Sequence, residues 1–247
     1  MFFKNKVNLG LLVLVILQSG CVSKEINELE VNRVKKVAVI AYTLNLPMPA
    51  ELSLIASDVT DLASGKGLSF NNDSKAAEAI LNQVNTVLTK KQQWTVLSVE
   101  QLRQNPAYIN AYKSTMDGLQ NKMLSNDGSR DFLAKGIMDK DGHRLLKATG
   151  RAELMKALGV DAIAIVHVTT SLKGFSFFGF GSKKPQANVF IQVYNSPDQR
   201  AIWHETIQGE VSDESLGFTG LYSVEKVEEL TKKSVVTALD KIEKIIK

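Results

Sequence analysis

The strongest constraint on the fold is an apolar segment at residues 161–171, which reads DAIAIVHVTTS. Its first half is apolar at odd and even positions alike, a pattern typical of a strand that is buried on both faces of a sheet. Such a strand lies centrally in a sheet on which helices pack. The segment therefore predicts the centre of a sheet in an α/β domain.

Shorter strand and helix patterns alternate around this central segment. Strands are predicted at 34–41, 94–99, 188–194 and 201–208, and helices at 50–63, about 74–91, parts of 102–124, 145–158 and 222–246. The last three strands follow one another without an intervening helix, which predicts an antiparallel meander. We therefore predict the α/β (α+β) class, with a mixed sheet of about five strands, helices packed on it and a long C-terminal helix.

The first 20 residues have the parts of an export signal. Two lysines provide a positive start, and the apolar core Leu9–Leu17 is shorter than the roughly 20 residues that span a bilayer. Two small residues then precede Cys21, which is the only cysteine in the 247 residues. A cleaved signal peptide at 1–20 is therefore favoured over a transmembrane anchor.

This cysteine, placed after small residues, resembles the lipobox of bacterial lipoproteins, in which the leader is removed and the thiol carries lipid. The resemblance implies a covalent lipid on Cys21, a short polar tether at 21–33, membrane attachment through the lipid and no other cofactor. Because Val22 rather than Asp follows, it favours the outer membrane, with the domain in the periplasm, or the cell membrane where no outer membrane exists. The alternative is ordinary secretion, since cleavage after Ser23 also fits a small-x-small site and would discard the cysteine.

We predict that residues 34–247 form a single α/β domain with two insertions, at about 42–72 and 105–144. The formal net charge is +4, and two of these charges belong to the leader, so the mature chain carries about +2. The sequence has no basic stripe suited to a phosphate backbone. We therefore expect no nucleic-acid partner.

Several segments resemble one family of bacterial envelope lipoproteins. They are VKKVAVIAY at the first strand, WTVLSVEQL at the second and LGVDAIAIVHVTTSLKG at 158–174, followed by a hairpin and a terminal helix. The family comprises the α/β domain of the curli secretion channel CsgG, the LpoB-type activators of penicillin-binding proteins and the N-terminal domain of TolB. The resemblance covers about 34–41, 73–104 and 145–246, and it implies a binding and assembly module without catalytic residues.

The most unusual stretch is GFSFFGFGSKK at 174–184, which holds four of the ten phenylalanines between two predicted strands. Clustered aromatic residues on a glycine-rich hairpin tip, beside two lysines, suit contact with a partner groove or a membrane interface. The candidate contact residues are Phe175, Phe177, Phe178, Phe180, Lys183 and Lys184. The alternative is that the phenylalanines fold back under one of the insertions as core.

The sequence contains no complete catalytic or metal-binding motif. His143, His167 and His204 lie more than four residues apart, and no thiol ligand for zinc remains once the cysteine is lipidated. His167 shares a strand face with two isoleucines, which is typical of a core histidine with satisfied hydrogen bonds. His204 and Glu205 are adjacent on a predicted strand and point to opposite faces, so they cannot act as a dyad. We therefore expect neither catalytic residues nor a metal ion.

These observations predict a lipid-anchored, non-enzymatic periplasmic module that binds or scaffolds another component of the cell envelope. The expected partner is an envelope protein, and a homo-oligomer is a second arrangement compatible with the sequence. Two alternatives belong to other classes. One is a subunit of an oligomeric outer-membrane secretion complex that resembles the curli exporter, and the other is an enzyme with an unrecognised site.

Overall fold

The computed structural model describes residues 23–48, 73–116, 129–146, 148–174, 182–196, 200–217 and 222–245. Its strands are β1 (Lys24–Ile26), β2 (Lys36–Pro47), β3 (Thr95–Val96), β4 (Ser129–Phe132), β5 (Ala162–Lys173), β6 (Lys184–Tyr194) and β7 (Trp203–Gln208). Its helices are α1 (Glu28–Arg33), α2 (Lys75–Gln92), α3 (Val99–Gln104), α4 (Pro106–Met116), α5 (Gly142–Leu145), α6 (Ala148–Leu158) and α7 (Val224–Asp240). Strands and helices interleave along the chain, which confirms the predicted α/β class.

The strands form one mixed sheet in the order β1-β7-β6-β5-β2-β3, with β4 paired to β2 beside this path. β2 runs parallel to β5 and to β3, whereas β5, β6 and β7 form the predicted antiparallel meander. The described part of the sheet has seven strands rather than about five. The sequence prediction missed β1 and β4 because their sequences, KEI and SRDF, are short and polar.

Helices α2 and α7 pack against each other and cover one face of the sheet. Each begins at a serine: Ser74, one of the two caps that the sequence allows beside Asp73, accepts hydrogen bonds from two amides of the first turn, and Ser223 accepts one from Lys226. Their apolar sides recur at helical spacing and supply much of the core. The fully buried aliphatic residues of the two helices are Ala77, Ile80, Leu81, Val84, Leu88, Val227, Leu230, Val235 and Ala238.

The segment that carries the family resemblance forms a structural junction. Gly159 follows the end of α6 with φ of 61°, a conformation that glycine adopts easily. The Asp161 carboxylate then accepts the backbone N–H groups of Lys35, at 2.9 Å, and Lys36, at 2.8 Å. Because these amides lie at the start of β2, the carboxylate joins the beginnings of two parallel strands. The LGVD sequence therefore helps to fix the register of β5 relative to β2.

Residues 24–33, which the sequence assigned to a tether, are part of the fold. β1 pairs with β7, so that Lys24 lies opposite Glu205 and Ile26 lies opposite Trp203. Val31 of α1 is fully buried. This part of the prediction is wrong because an edge strand is joined by backbone hydrogen bonds, which polar side chains do not prevent.

Both predicted insertions overlap folded elements. β2 continues to Pro47, so the insertion predicted from residue 42 starts later, and residues 49–72, with the helix predicted at 50–63, lie outside the described residues. The 105–144 segment contributes α4, β4 and α5 to the fold. Its Tyr108 hydroxyl donates to the Ile40 carbonyl at 2.7 Å and accepts from the Met138 amide at 3.1 Å. This segment is therefore part of the core.

The second predicted strand is shorter than its apolar pattern suggests. The strand covers only Thr95–Val96, because Ser98 begins α3. The Ser98 hydroxyl accepts the Gln101 amide, and the Gln101 side chain accepts the Ser98 amide, which makes a capping box. This local motif overrides the apolar run at 94–99.

Candidate functional site on the open face of the sheet

The two faces of the sheet differ in what covers them. On β6, Val189, Ile191 and Val193 are fully buried, and α7 is the described helix that packs extensively on this strand. The side chains between them are half-buried and point to the opposite side, where no described helix packs extensively on β6 or β7. We call this side the open face. It consists of His167, Thr169, Asn188, Phe190, Gln192, Tyr194, His204 and Thr206.

Strand register aligns these side chains in rows. The central row runs from Thr43 through His167 and Phe190 to Thr206. Ser23 ends the row, with its hydroxyl oxygen 3.4 Å from that of Thr206. Thr43 is fully buried, whereas the row is half-exposed from His167 onward. The open face is therefore bounded on one side by the segment that covers Thr43.

Residues 139–143 form this border through a dense set of polar contacts. The Thr43 hydroxyl donates to the Asp139 carboxylate at 2.7 Å and accepts the Lys140 amide at 2.8 Å. The second oxygen of Asp139 accepts the Asp141 amide at 2.8 Å, and Lys140 pairs with the Asp141 carboxylate at 2.6 Å. The His143 Nδ1 lies 2.6 Å from the Lys140 carbonyl, so this nitrogen donates. These bonds fix the border to β2.

His167 is the central side chain of the open face. Its ring stacks on Phe190, with centroids 5.5 Å apart and an interplanar angle of 23°. Its Nε2 is buried and has no hydrogen-bond partner among the described residues, so the prediction of a satisfied core histidine is wrong. Burial, helped by the charge of Lys140, lowers the pKa of His167 to about 4. The imidazole is therefore neutral at pH 7.

The eight residues of the open face include no Asp, Glu, Lys or Arg, but Glu25 of β1 lies opposite His204, and Asp131 of β4 lies opposite Asn45 in the row of Thr169. Burial raises the pKa of the Tyr194 phenol, which therefore stays protonated at neutral pH. At the border, burial lowers the pKa of His143. Burial also raises the pKa of Asp131, although the hydrogen bond from the Asn45 side-chain amide acts in the opposite direction. The centre of the face therefore offers aromatic rings, amides and hydroxyls, which suit stacking and hydrogen bonding to a partner.

The sequence-predicted contact residues lie elsewhere. Cys21 and the four phenylalanines at 175–180 lie outside the described residues. The ladder between β5 and β6 ends at Lys173 opposite Lys184, which confirms that 174–183 connect the two strands of a hairpin. Lys184 donates to the Asp213 carbonyl at 2.8 Å, and the carbonyl of Lys183 accepts from Leu216. Both lysines stand at the hairpin base and are not part of the open face.

His204 and Glu205 point to opposite faces, as the sequence predicts. His204 belongs to the open face, whereas Glu205 is buried on the other side and accepts the Trp203 indole N–H at 2.9 Å. Across the part of the chain that the structure describes, no three His, Cys, Asp or Glu residues form a group able to hold a metal ion. The described histidines therefore give no metal centre.

Two grooves lie away from the open face. The larger, of about 280 Å³, runs between α2 and α7 and is mainly apolar, and the smaller, of about 180 Å³, lies between the 210–214 segment and α7. The larger is lined by Asn82, Gln83, Thr86, Val87, Val236 and Leu239. Neither groove brings an imidazole together with a nucleophile or a second titratable base.

Comparison with known proteins leaves the site to be interpreted from its own geometry. No protein-family model matches the chain, and a search of curated protein sequences finds no significant match. Within the described ranges, no helix is both long enough and apolar enough to cross a bilayer.

Sequence reasoning missed the open face, although β6 carries a signal for it. From Asn188 onward the buried positions of this strand are Val189, Ile191 and Val193, and the alternate positions are Asn188, Phe190, Gln192 and Tyr194. Such alternation predicts one covered and one accessible face. The aromatic residues among the polar ones distinguish this surface from an ordinary solvated face.

Proposed function

We propose that the chain is a lipid-anchored, non-enzymatic module of the cell envelope that binds another envelope component through the open face. Lipid on Cys21 would keep the domain at a membrane, at the outer membrane where one exists and facing the periplasm. The domain would act by presenting a preformed surface rather than by chemistry. The partner class is an envelope protein.

The observation that carries this proposal is the composition of the open face. Phe190 and Tyr194 are partly exposed among amides and hydroxyls, and the His167 ring stacks on Phe190. Aromatic residues that combine a large apolar area with hydrogen-bonding neighbours are typical of the centre of a binding interface. The strands hold them in fixed positions, so little conformational entropy would be lost on binding.

The same surface gives little support for catalysis. At its border, the described hydroxyl–carboxylate pair of Thr43 and Asp139 is almost completely buried, with 0% and 7% of the two residues exposed. A substrate could not reach this hydroxyl without displacing the border segment. A binding role therefore fits the geometry better than a nucleophilic one.

Site-specific photo-crosslinking in growing cells tests the binding surface. A photoreactive amino acid at Gln192 or Thr206 samples the open face, and the same residue at Thr89, which is exposed on α2, is the control. We expect discrete crosslinked products from the two open-face positions and none from Thr89. Equal products from all three positions, or products from Thr89 alone, would contradict the proposed surface.

Metabolic labelling with a clickable fatty acid tests the anchor. We expect label on the wild-type chain in the membrane fraction, and no label on Cys21→Ala. An unlabelled wild-type chain that is released in soluble form would support ordinary secretion instead. Its N-terminal residue would then show where the leader is cleaved.

A further inference from the structure

The distance between the proposed lipid and the folded sheet is very short. The Ser23 carbonyl already accepts the Thr206 amide at 3.0 Å, and β1 pairs with β7 from Lys24 onward. Only one residue, Val22, separates Cys21 from Ser23. Even a fully extended chain covers only about 7 Å between Cys21 and Ser23. The lipid therefore cannot lie far from β1.

β1 is the edge strand of the sheet, and an exposed apolar residue follows it. Leu29, on the short helix α1, is 76% exposed, whereas Val31 on the same helix is fully buried. A large side chain that is this exposed, within six residues of the sheet edge, is suited to enter the apolar boundary of a lipid layer. We call the strand β1 together with Leu29 the β1 edge.

We propose that, in the lipidated chain, the β1 edge rests against the phospholipid surface. This inference depends on the proposed lipidation of Cys21 and adds an orientation to it. The two independent observations are the short link from Cys21 to β1 and the exposure of Leu29 beside that strand.

The charged residues of the β1 edge contribute little to membrane binding, so the lipid and Leu29 are the main attachments to the membrane. Lys24 is paired with Glu243 at 2.5 Å and lies 3.8 Å from Glu205, and Arg33 is paired with Glu30 at 2.7 Å. Because these cations are already paired within the protein and Glu25 and Glu28 are exposed beside them, anionic headgroups do not favour this orientation. We therefore expect anionic lipid to weaken this orientation rather than to strengthen it.

This orientation determines where the open face would meet its partner. Because an edge strand touches the lipid, successive strands of the sheet lie at increasing distance from the membrane. The open face is then directed sideways, along the membrane surface, and not towards it. Neighbouring strands are about 4.8 Å apart, so Phe190 lies roughly 10 Å and His167 roughly 14 Å from β1. A partner attached to the same membrane would find the open face within this height.

The orientation can be measured without depending on lipidation in cells. The mature chain is coupled through the Cys21 thiol to maleimide-lipid in phosphatidylcholine vesicles that contain nitroxide-labelled lipids. An environment-sensitive fluorescent amino acid replaces Leu29, and the matched control carries it at Leu145, a second exposed leucine, 51% exposed, on α5. A third variant carries the probe at Lys183, at the hairpin base.

We expect a blue shift and strong nitroxide quenching at position 29, and weak quenching at 145 and 183. Inserting about 20 Gly and Ser residues between Val22 and Ser23 frees the domain and should reduce the quenching at 29. Quenching at 29 no stronger than at 145 would overturn the proposal. Strongest quenching at 183 would also overturn it, because the hairpin end would then face the lipid. Neither result would bear on the fatty-acid labelling of Cys21, so the two proposals fail separately.

Discussion

The neutral His167 makes the stability of the domain depend on pH in a specific range. Burial lowers its pKa from 6.5 to about 4 in the folded chain. Below pH 6.5 the unfolded chain binds a proton that the folded chain does not take up until about pH 4. Above pH 6.5, His167 therefore does not change the free energy of unfolding. Between pH 6.5 and about 4, this free energy falls as the pH is lowered, and below about pH 4 His167 causes no further decrease.

The size of this effect follows from the gap between the two pKa values. At about 1.4 kcal/mol per pH unit, the gap corresponds to about 3 kcal/mol, which is an upper bound because His167 is only half-buried. Burial also raises the pKa of Asp131 and lowers that of His143, so these groups contribute to the pH dependence as well. The contribution of His167 is therefore the difference between the wild type and His167→Gln, measured at each pH.

Urea unfolding followed by circular dichroism, at several pH values between about 7.5 and 4, measures this difference. We expect the wild type to lose up to about 3 kcal/mol more than His167→Gln over this range. His204→Gln, in the neighbouring row, controls for the loss of a histidine from the same face. An NMR titration of the His167 ring with a midpoint near 6.5, or parallel curves for the wild type and His167→Gln, would falsify this reasoning.

Three further predictions concern the framework that holds the open face, and thermal unfolding checks each. Tyr108→Phe should cost about 1–3 kcal/mol, because the buried Ile40 carbonyl and Met138 amide lose their shared hydroxyl; an unchanged melting temperature would contradict the assigned bonds. Asp161→Ala should cost about 1–2 kcal/mol through the freed amides of Lys35 and Lys36, with Asp161→Asn less affected because it keeps an acceptor oxygen. Gly209→Ala should lower the free energy of unfolding by about 1–3 kcal/mol or more, since the added Cβ would lie 2.0 Å from the Ser234 carbonyl oxygen. Gly150→Ala in α6, with no contact closer than 3.9 Å, should be neutral or stabilising, and equal losses in both glycine variants would argue against the close approach.

Much of the fold could be predicted from local patterns in the chain. The segment at 161–171 forms the central strand β5, and the amphipathic segments around Ser74 and Ser223 form α2 and α7. Each of these patterns is local, since burial selects apolar residues at the period of the element and serine hydroxyls satisfy free amides. The element order then restricts the sheet to a mixed α/β arrangement.

Contacts between distant segments could not be predicted in the same way. Polar residues 24–26 and 129–132 become strands only because β7 and β2 offer backbone groups to pair with. Ladder hydrogen bonds join main-chain atoms, so they leave little trace in the side chains. For the same reason the short link between Cys21 and the sheet is visible only in the folded chain.

The sequence by itself determined the main helices and strands, the alternation along β6 and the position of Cys21 after an apolar N-terminal segment. The tertiary structure decided that His167, Phe190 and Thr206 share one row, that the 139–143 segment borders it and that β1, which begins three residues after Cys21 in the sequence, forms an edge of the sheet. The physical reason is that periodicity records on which side of an element a residue lies. Which other element covers that side depends on pairing and packing between segments far apart in the chain.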